Sequence, residues 1–161
     1  MTKSVYSQIS TLKQNRYDKV LGEVRDKQQE IHDAEQKYKE LEDELAQLKK
    51  EFPKKKKAVY DEYLLESVQK NAFEKIGYHI MVLEHEISAH QLKIKTQEEQ
   101  IESLKQELDA LLQTKQELAK VLQKYEILIE IDEKERKAQA QYKEDMELEE
   151  FSKSSQLRLF E

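Results

Sequence analysis

The sequence predicts an all-α chain, two long helices folded into an antiparallel coiled-coil hairpin, and three observations predict it. Charged residues make up 39% of the 161 residues and apolar residues 37%, with a mean hydropathy of -0.95. Such a chain cannot fill a compact core, but it can bury a narrow stripe. Glu, Lys, Gln, Leu and Ala, the good helix formers, dominate, while two glycines and one proline leave almost no turn chemistry. The apolar residues are strictly periodic, which separates the chain from a disordered one of similar composition.

The period is clearest in the second helix. A seven-residue frame places Phe73, Ile80, Ile87, Ile94, Ile101, Leu108, Lys115, Leu122 and Ile129 at one position. Ile76, Leu83, His90, Gln97, Leu104, Leu111, Leu118, Tyr125 and Asp132 fall at the other. Fourteen of the eighteen are apolar, the pattern of a left-handed coiled-coil seam. The first helix repeats the frame through Tyr17, Val24, Ile31, Tyr38, Leu45 and Phe52, with Val20, Ala34, Leu41 and Leu48 on the alternate position.

A reversal at Pro53 would leave half of the longer seam without a partner. Val68 to Ala72 makes a better corner, with Asn71 as N-cap and Glu74 completing a capping box. The expected single domain, residues 1–161, is therefore a helix over about 5–67, a tip at 68–72, a helix over about 72–150 and a frayed tail at 152–161, with facing residue numbers totalling about 138. Pro53 becomes a kink or short break in the first helix, because proline removes a backbone donor and clashes with the preceding turn.

Several functions are excluded or disfavoured. Without cysteine there is neither a disulfide framework nor a thiolate metal site. The opening MTKSVYSQIS lacks an apolar signal core and no run is long enough to span a bilayer, so a soluble cytoplasmic chain is expected. A net charge of -6, with no basic surface interleaved with aromatics, disfavours nucleic acid. His79, His85 and His90 are spaced by six and five, which does not set two imidazoles on one helical face as a metal pair requires. His90 falls on the seam, where a polar residue sets register. There is no phosphate loop, nucleophile elbow or Ser/His/Asp set, and two exposed helices offer no concavity. A non-enzyme with no cofactor, acting by binding and mechanics, is expected.

Charge is unevenly spread, with six lysines in Lys49 to Lys57 and five acids in Glu144 to Glu150. Lys54, Lys55, Lys56 and Lys57 open the resumed helix, where positive charge opposes the macrodipole. They read either as a solvated face or as a grip on an acidic partner near the tip. Tyr60 and Tyr63 read as exposed anchors, and Tyr78 as an anchor or seam filler. Lys115 on the seam faces the neighbourhood of Glu23, an ion pair that would select the hairpin register. Gly22 marks a place where the two helices approach closely.

The stretch KYEILIEIDEKERKAQAQYKEDMELEEF, Lys124 to Phe151, contains an aromatic followed by Leu128, then Gln139, Tyr142, Glu144 and Glu147, and closes on Glu149, Glu150 and Phe151. In these features it resembles the end of the type III secretion central-stalk family, YscO and its flagellar relative FliJ. LGEVR, Leu21 to Arg25, is similar to a first-helix segment of the flagellar member, and HIMVLEHEISAH, His79 to His90, to its second helix in Ile80, Leu83, Glu84, Ile87 and His90. Leu12 and Arg16 meet the family's usual opening, although Val20 stands where alanine is typical.

The resemblance implies a monomeric stalk that enters the hexameric secretion ATPase and links it to the cytoplasmic domain of the export gate, with export chaperones as further partners. It implies a cytoplasmic protein peripherally associated with the export apparatus at the bacterial inner membrane. Leu12, Arg16, Gln139, Tyr142, Glu144, Glu147, Glu149, Glu150 and Phe151 are then the residues expected to meet the ATPase. Leu83 and His90 carry over as gate contacts and join Lys54 to Lys57, Tyr60 and Tyr63 at that end, while His79 and Glu86 depart from the flagellar pattern. Because Leu83 and His90 also lie on the seam, burial there conflicts with direct contact. The rivals are a parallel homodimeric coiled coil, serving as scaffold or tether, and a soluble export chaperone with an exposed seam.

Overall fold

The computed structural model describes residues 4–66 and 70–159. All of the described chain except Ser4 is helical, α1 over Val5–Glu66 and α2 over Lys70–Leu159. Ser4 starts α1 as its N-cap. Its Oγ accepts from the Ser7 N–H at 3.1 Å while its carbonyl accepts from Gln8 N–H at 3.1 Å, satisfying donors that a helix start leaves open.

Two helix ends differ from the sequence reading. Residues 68 and 69 of the expected tip lie outside the described residues, and Asn71, expected as the N-cap, is already the second residue of α2. The C-terminal stretch, expected to fray from 152, is helical to Leu159. Helix α1 also crosses Pro53 without a break. The turn spacing persists on both sides of the ring: Lys55 lies 3.5 Å from Glu51, and the Lys56 ammonium sits 5.9 Å from the Phe52 ring centroid. Pro53 is exposed, so water can take the carbonyl that its missing N–H frees. Lys54 to Lys57 are thus mid-helix, where the macrodipole argument does not apply, since that field acts only in the terminal turns.

The chain divides into two compact units, Glu23–Leu111 and Met1–Gly22 with Leu112–Glu161. The first, the hairpin unit, pairs α1 and α2 antiparallel. Its buried residues are Val24, Ile31, Ala34, Ile76, His90 and Gln97, all on the predicted frame. The other frame residues of this unit are half-buried except Phe73, which is 64% exposed at the start of α2. No described side chain is fully buried. Each aliphatic contributes less than the ~1.5–3 kcal/mol of complete burial, so the length of the seam holds the pair together.

The two buried polar residues define the pairing. Gln97 Nε2 donates to the Ala34 carbonyl at 3.0 Å, and His90 Nε2 lies 2.9 Å from the Leu41 carbonyl. A carbonyl only accepts, so His90 carries its proton on Nε2. Both donors and both acceptors are one heptad apart, and the partner numbers total 131 in each case. Each carbonyl has a second lone pair beyond its own helix bond, and a slipped register would bury these donors unmet. His90 therefore has the register-setting place expected for it.

Gln97→Leu is expected to raise the melting temperature, because an apolar contact replaces a buried polar one, and to yield a fraction of associated chains by light scattering. A lower melting temperature with a purely monomeric chain would contradict this.

Lys27 was passed over in the sequence because it interrupts the apolar frame between Val20 and Ala34. Its ammonium reaches Glu107 at 2.7 Å and Glu30 at 3.2 Å, and its pKa is raised, chiefly by the hydrogen bond to Glu107 and then by that to Glu30. Tyr38 donates its hydroxyl to Glu98 at 2.8 Å, and that bond, with the Glu42 carboxylate nearby, holds the phenol well above the usual tyrosine range. Both groups favour the protonated form, so their stabilisation is complete below their ordinary pKa values and fades as pH rises through the raised ones. Gly22, expected at a close approach, is not at one: a Cβ there would meet nothing within 4 Å.

The second, terminal unit buries Val20 and Leu118 and half-buries Ile9, Tyr17, Leu122, Tyr125 and Ile129. Frame residues continue as far as Asp132. From residue 133 to 158 every residue is exposed, a stretch of helix ~40 Å long at 1.5 Å per residue.

Candidate functional site

The exposed end of α2 has too few apolar residues to form a seam of its own and too many large ones for an inert solvated helix. Tyr142, Met146, Leu148, Phe151 and Leu157 are all exposed, Tyr142 by 66% and Phe151 by 73%. At ~100° per residue, Met146 lies close to the azimuth of Tyr142, whereas Phe151 lies on the opposite side with Leu148 beside it. The helix therefore carries two apolar faces back to back. Glu144, Asp145, Glu147, Glu149 and Glu150 are exposed and spread around the circumference. One flat partner would cover only one of these faces; a partner that encloses the helix covers both.

Of the ATPase-facing candidates, Gln139, Tyr142, Glu144, Glu147, Glu149, Glu150 and Phe151 all fall on this overhang. Leu12, 68% exposed, and Arg16 are on α1 in the same unit. The structure thus brings together in one unit the residues singled out at the two ends of the sequence.

The candidates for the other end lie in the hairpin unit and are less free. Lys54 and Lys57 are exposed, Lys55 pairs with Glu51, and Lys56 rests on Phe52. Glu51 is held below the usual carboxylate range, first by the Gln47 amide and then by Lys55. That pairing is complete above the ordinary carboxylate pKa and fades as pH falls through the lowered one. Tyr60 is exposed by 38%. Tyr63 is half-buried, with its hydroxyl 2.7 Å from His79 Nε2 and the two rings 5.4 Å apart. His90 is buried against Leu41, with Glu44 3.4 Å from its Nε2, and Leu83 is half-buried. Both face the seam, so contact through His90 would require its bond to Leu41 to open.

Lys115 is half-buried in the terminal unit and Glu23 exposed in the hairpin unit. The helix-to-helix ion pairs seen among the described residues are Lys27 with Glu107, Lys105 with Glu35 and, when the ring is protonated, His90 with Glu44. No group of His, Asp and Glu among the described residues is placed to hold a metal ion, and no described helix is long and apolar enough to cross a membrane.

The profile of the family described as type III secretion protein YscO matches residues 6–154. The chain belongs to the YscO family. It is therefore a type III secretion protein, and the match covers both helices and most of the overhang. No curated protein and no solved structure matches it. Membership of the YscO family agrees with the resemblance carried by the tail.

Proposed function

We propose that this YscO-family protein is the central stalk of a type III secretion apparatus: the overhang of α2 enters the hexameric secretion ATPase, and the tip of the hairpin unit meets the cytoplasmic domain of the export gate. The single observation that carries the reading is the exposed helix 133–158 with apolar residues on opposite faces. A helix gripped from all sides needs anchors all round. A lone helix has no sixfold symmetry, so it touches the subunits of a hexamer unequally, and successive ATP hydrolysis then favours successive orientations. The protein works through binding and mechanics, without catalysis or a cofactor of its own, in the cytoplasm beside the inner membrane. Leu12 and Arg16 extend the ATPase contact, Lys54, Lys57 and Tyr60 supply gate contact, and export chaperones are further partners.

Cross-linking tests the reading, and the absence of native cysteine makes it clean. Tyr142→Cys and Phe151→Cys, each carrying a photoreactive thiol reagent, are both expected to label the cognate ATPase subunit, whereas Lys57→Cys labels the gate domain and not the ATPase. Labelling from only one of the two overhang faces, or ATPase labelling from Lys57→Cys alone, would contradict it.

A further inference from the structure

A second surface lies on the hairpin unit, away from both ends. An open groove of about 680 Å³ runs between α1 and α2, lined chiefly by Lys37, Leu41, Ala89, Leu92, Lys93 and Thr96. The sequence reading expected two paired helices to offer no concavity; the groove between them is an open one. Leu92, 65% exposed, forms its outer wall, and the half-buried Leu41 and buried Gln97 lie deeper. The same face of α2 continues toward the tip through Met81 and Tyr78, which are 59% and 61% exposed, with His85 between. These positions are three, four and seven residues apart, so they form an exposed stripe on the face of α2 turned away from α1, outside the groove.

The rims set the charge. Lys37 from α1 and Lys93 from α2 are both exposed, and neither is in an ion pair among the described residues, unlike Lys27, Lys55 and Lys105. Toward Leu104 the adjoining groove, which Lys37 also lines, turns acidic at Glu30 and Asp33.

We propose that this groove receives an amphipathic helix of a partner protein, packed on Leu41, Ala89 and Leu92, with acidic residues flanking its apolar face to meet Lys37 and Lys93. Apolar burial supplies affinity and the two lysines supply selection. The surface is separate from the overhang, and its test contains no ATPase, so the two readings stand or fall apart.

The probe is a fluorescein-labelled synthetic helix of about 18 residues, with leucines at i, i+3, i+4 and i+7 and glutamates on both flanks. A companion has lysines in place of the glutamates. By anisotropy with the full chain, the glutamate peptide is expected to bind at least about tenfold more tightly than its companion. Leu92→Asp is expected to weaken binding about tenfold or more, and Lys37→Glu with Lys93→Glu to reverse the preference. All three positions are exposed, so unchanged circular dichroism accompanies the expected result. Equal binding of the two peptides, no binding by either, or indifference to Leu92→Asp overturns the proposal. A dimer by sedimentation that Leu92→Asp disperses also overturns it, since the occupant is then a second copy.

Discussion

Ile31→Asp is expected to destabilise the hairpin unit by about 3 kcal/mol, a large share of the 5–15 kcal/mol typical of a folded domain. Ile31 is 9% exposed in the middle of α1, with Ala34 and Val24 as its buried neighbours on the frame. Aspartate there loses the apolar transfer energy and leaves a carboxylate partly desolvated. Two companion changes separate the seam from helix propensity. Ile31→Val removes one methylene and is expected to cost about 1 kcal/mol, while Lys39→Asp, on the exposed face, stays within about 0.5 kcal/mol. Urea unfolding followed at 222 nm gives all three values. Comparable losses for Ile31→Asp and Lys39→Asp would mean that the apolar frame is not what holds the two helices.

The seam was legible in the sequence because burial imposes a period, and the period survives Lys115, His90 and Gln97. The polar interruptions were read less evenly. His90 could be assigned a register role from its frame position, whereas Lys27 was a gap in the pattern, since nothing local reveals that its stem lies along the seam and its ammonium reaches a glutamate 80 residues away. Helix ends were also hard to read. Asn71 with Glu74 has the composition of a cap, yet a cap is a backbone conformation, and Lys70 is already helical. Pro53 was read as a kink or short break because its effect on an isolated helix is large; of the two the break is absent, and the helix continues through the proline. Beyond residue 132 the apolar period stops; good helix formers led to the expected helix to about 150, and its continuation through Ser152, Ser154 and Ser155 to Leu159 was not expected. The residues of the overhang were legible through resemblance, but their back-to-back arrangement needed the helix to continue.

The second large effect concerns that overhang. Removal of residues 139–161 takes away Tyr142, Met146, Leu148 and Phe151, all exposed, and no buried residue among the described ones. Both units keep their seams, so the melting transition should stay where it is, while the anchors that an enclosing partner would grip are gone. Stability and function are therefore expected to separate. The decisive measurement is ATP turnover by the cognate secretion ATPase, titrated with the full chain and with the chain ending at residue 138. The account predicts that the full chain raises turnover and that the shortened chain, equally well folded, leaves it at the level of the ATPase alone. Equal stimulation by both would contradict it.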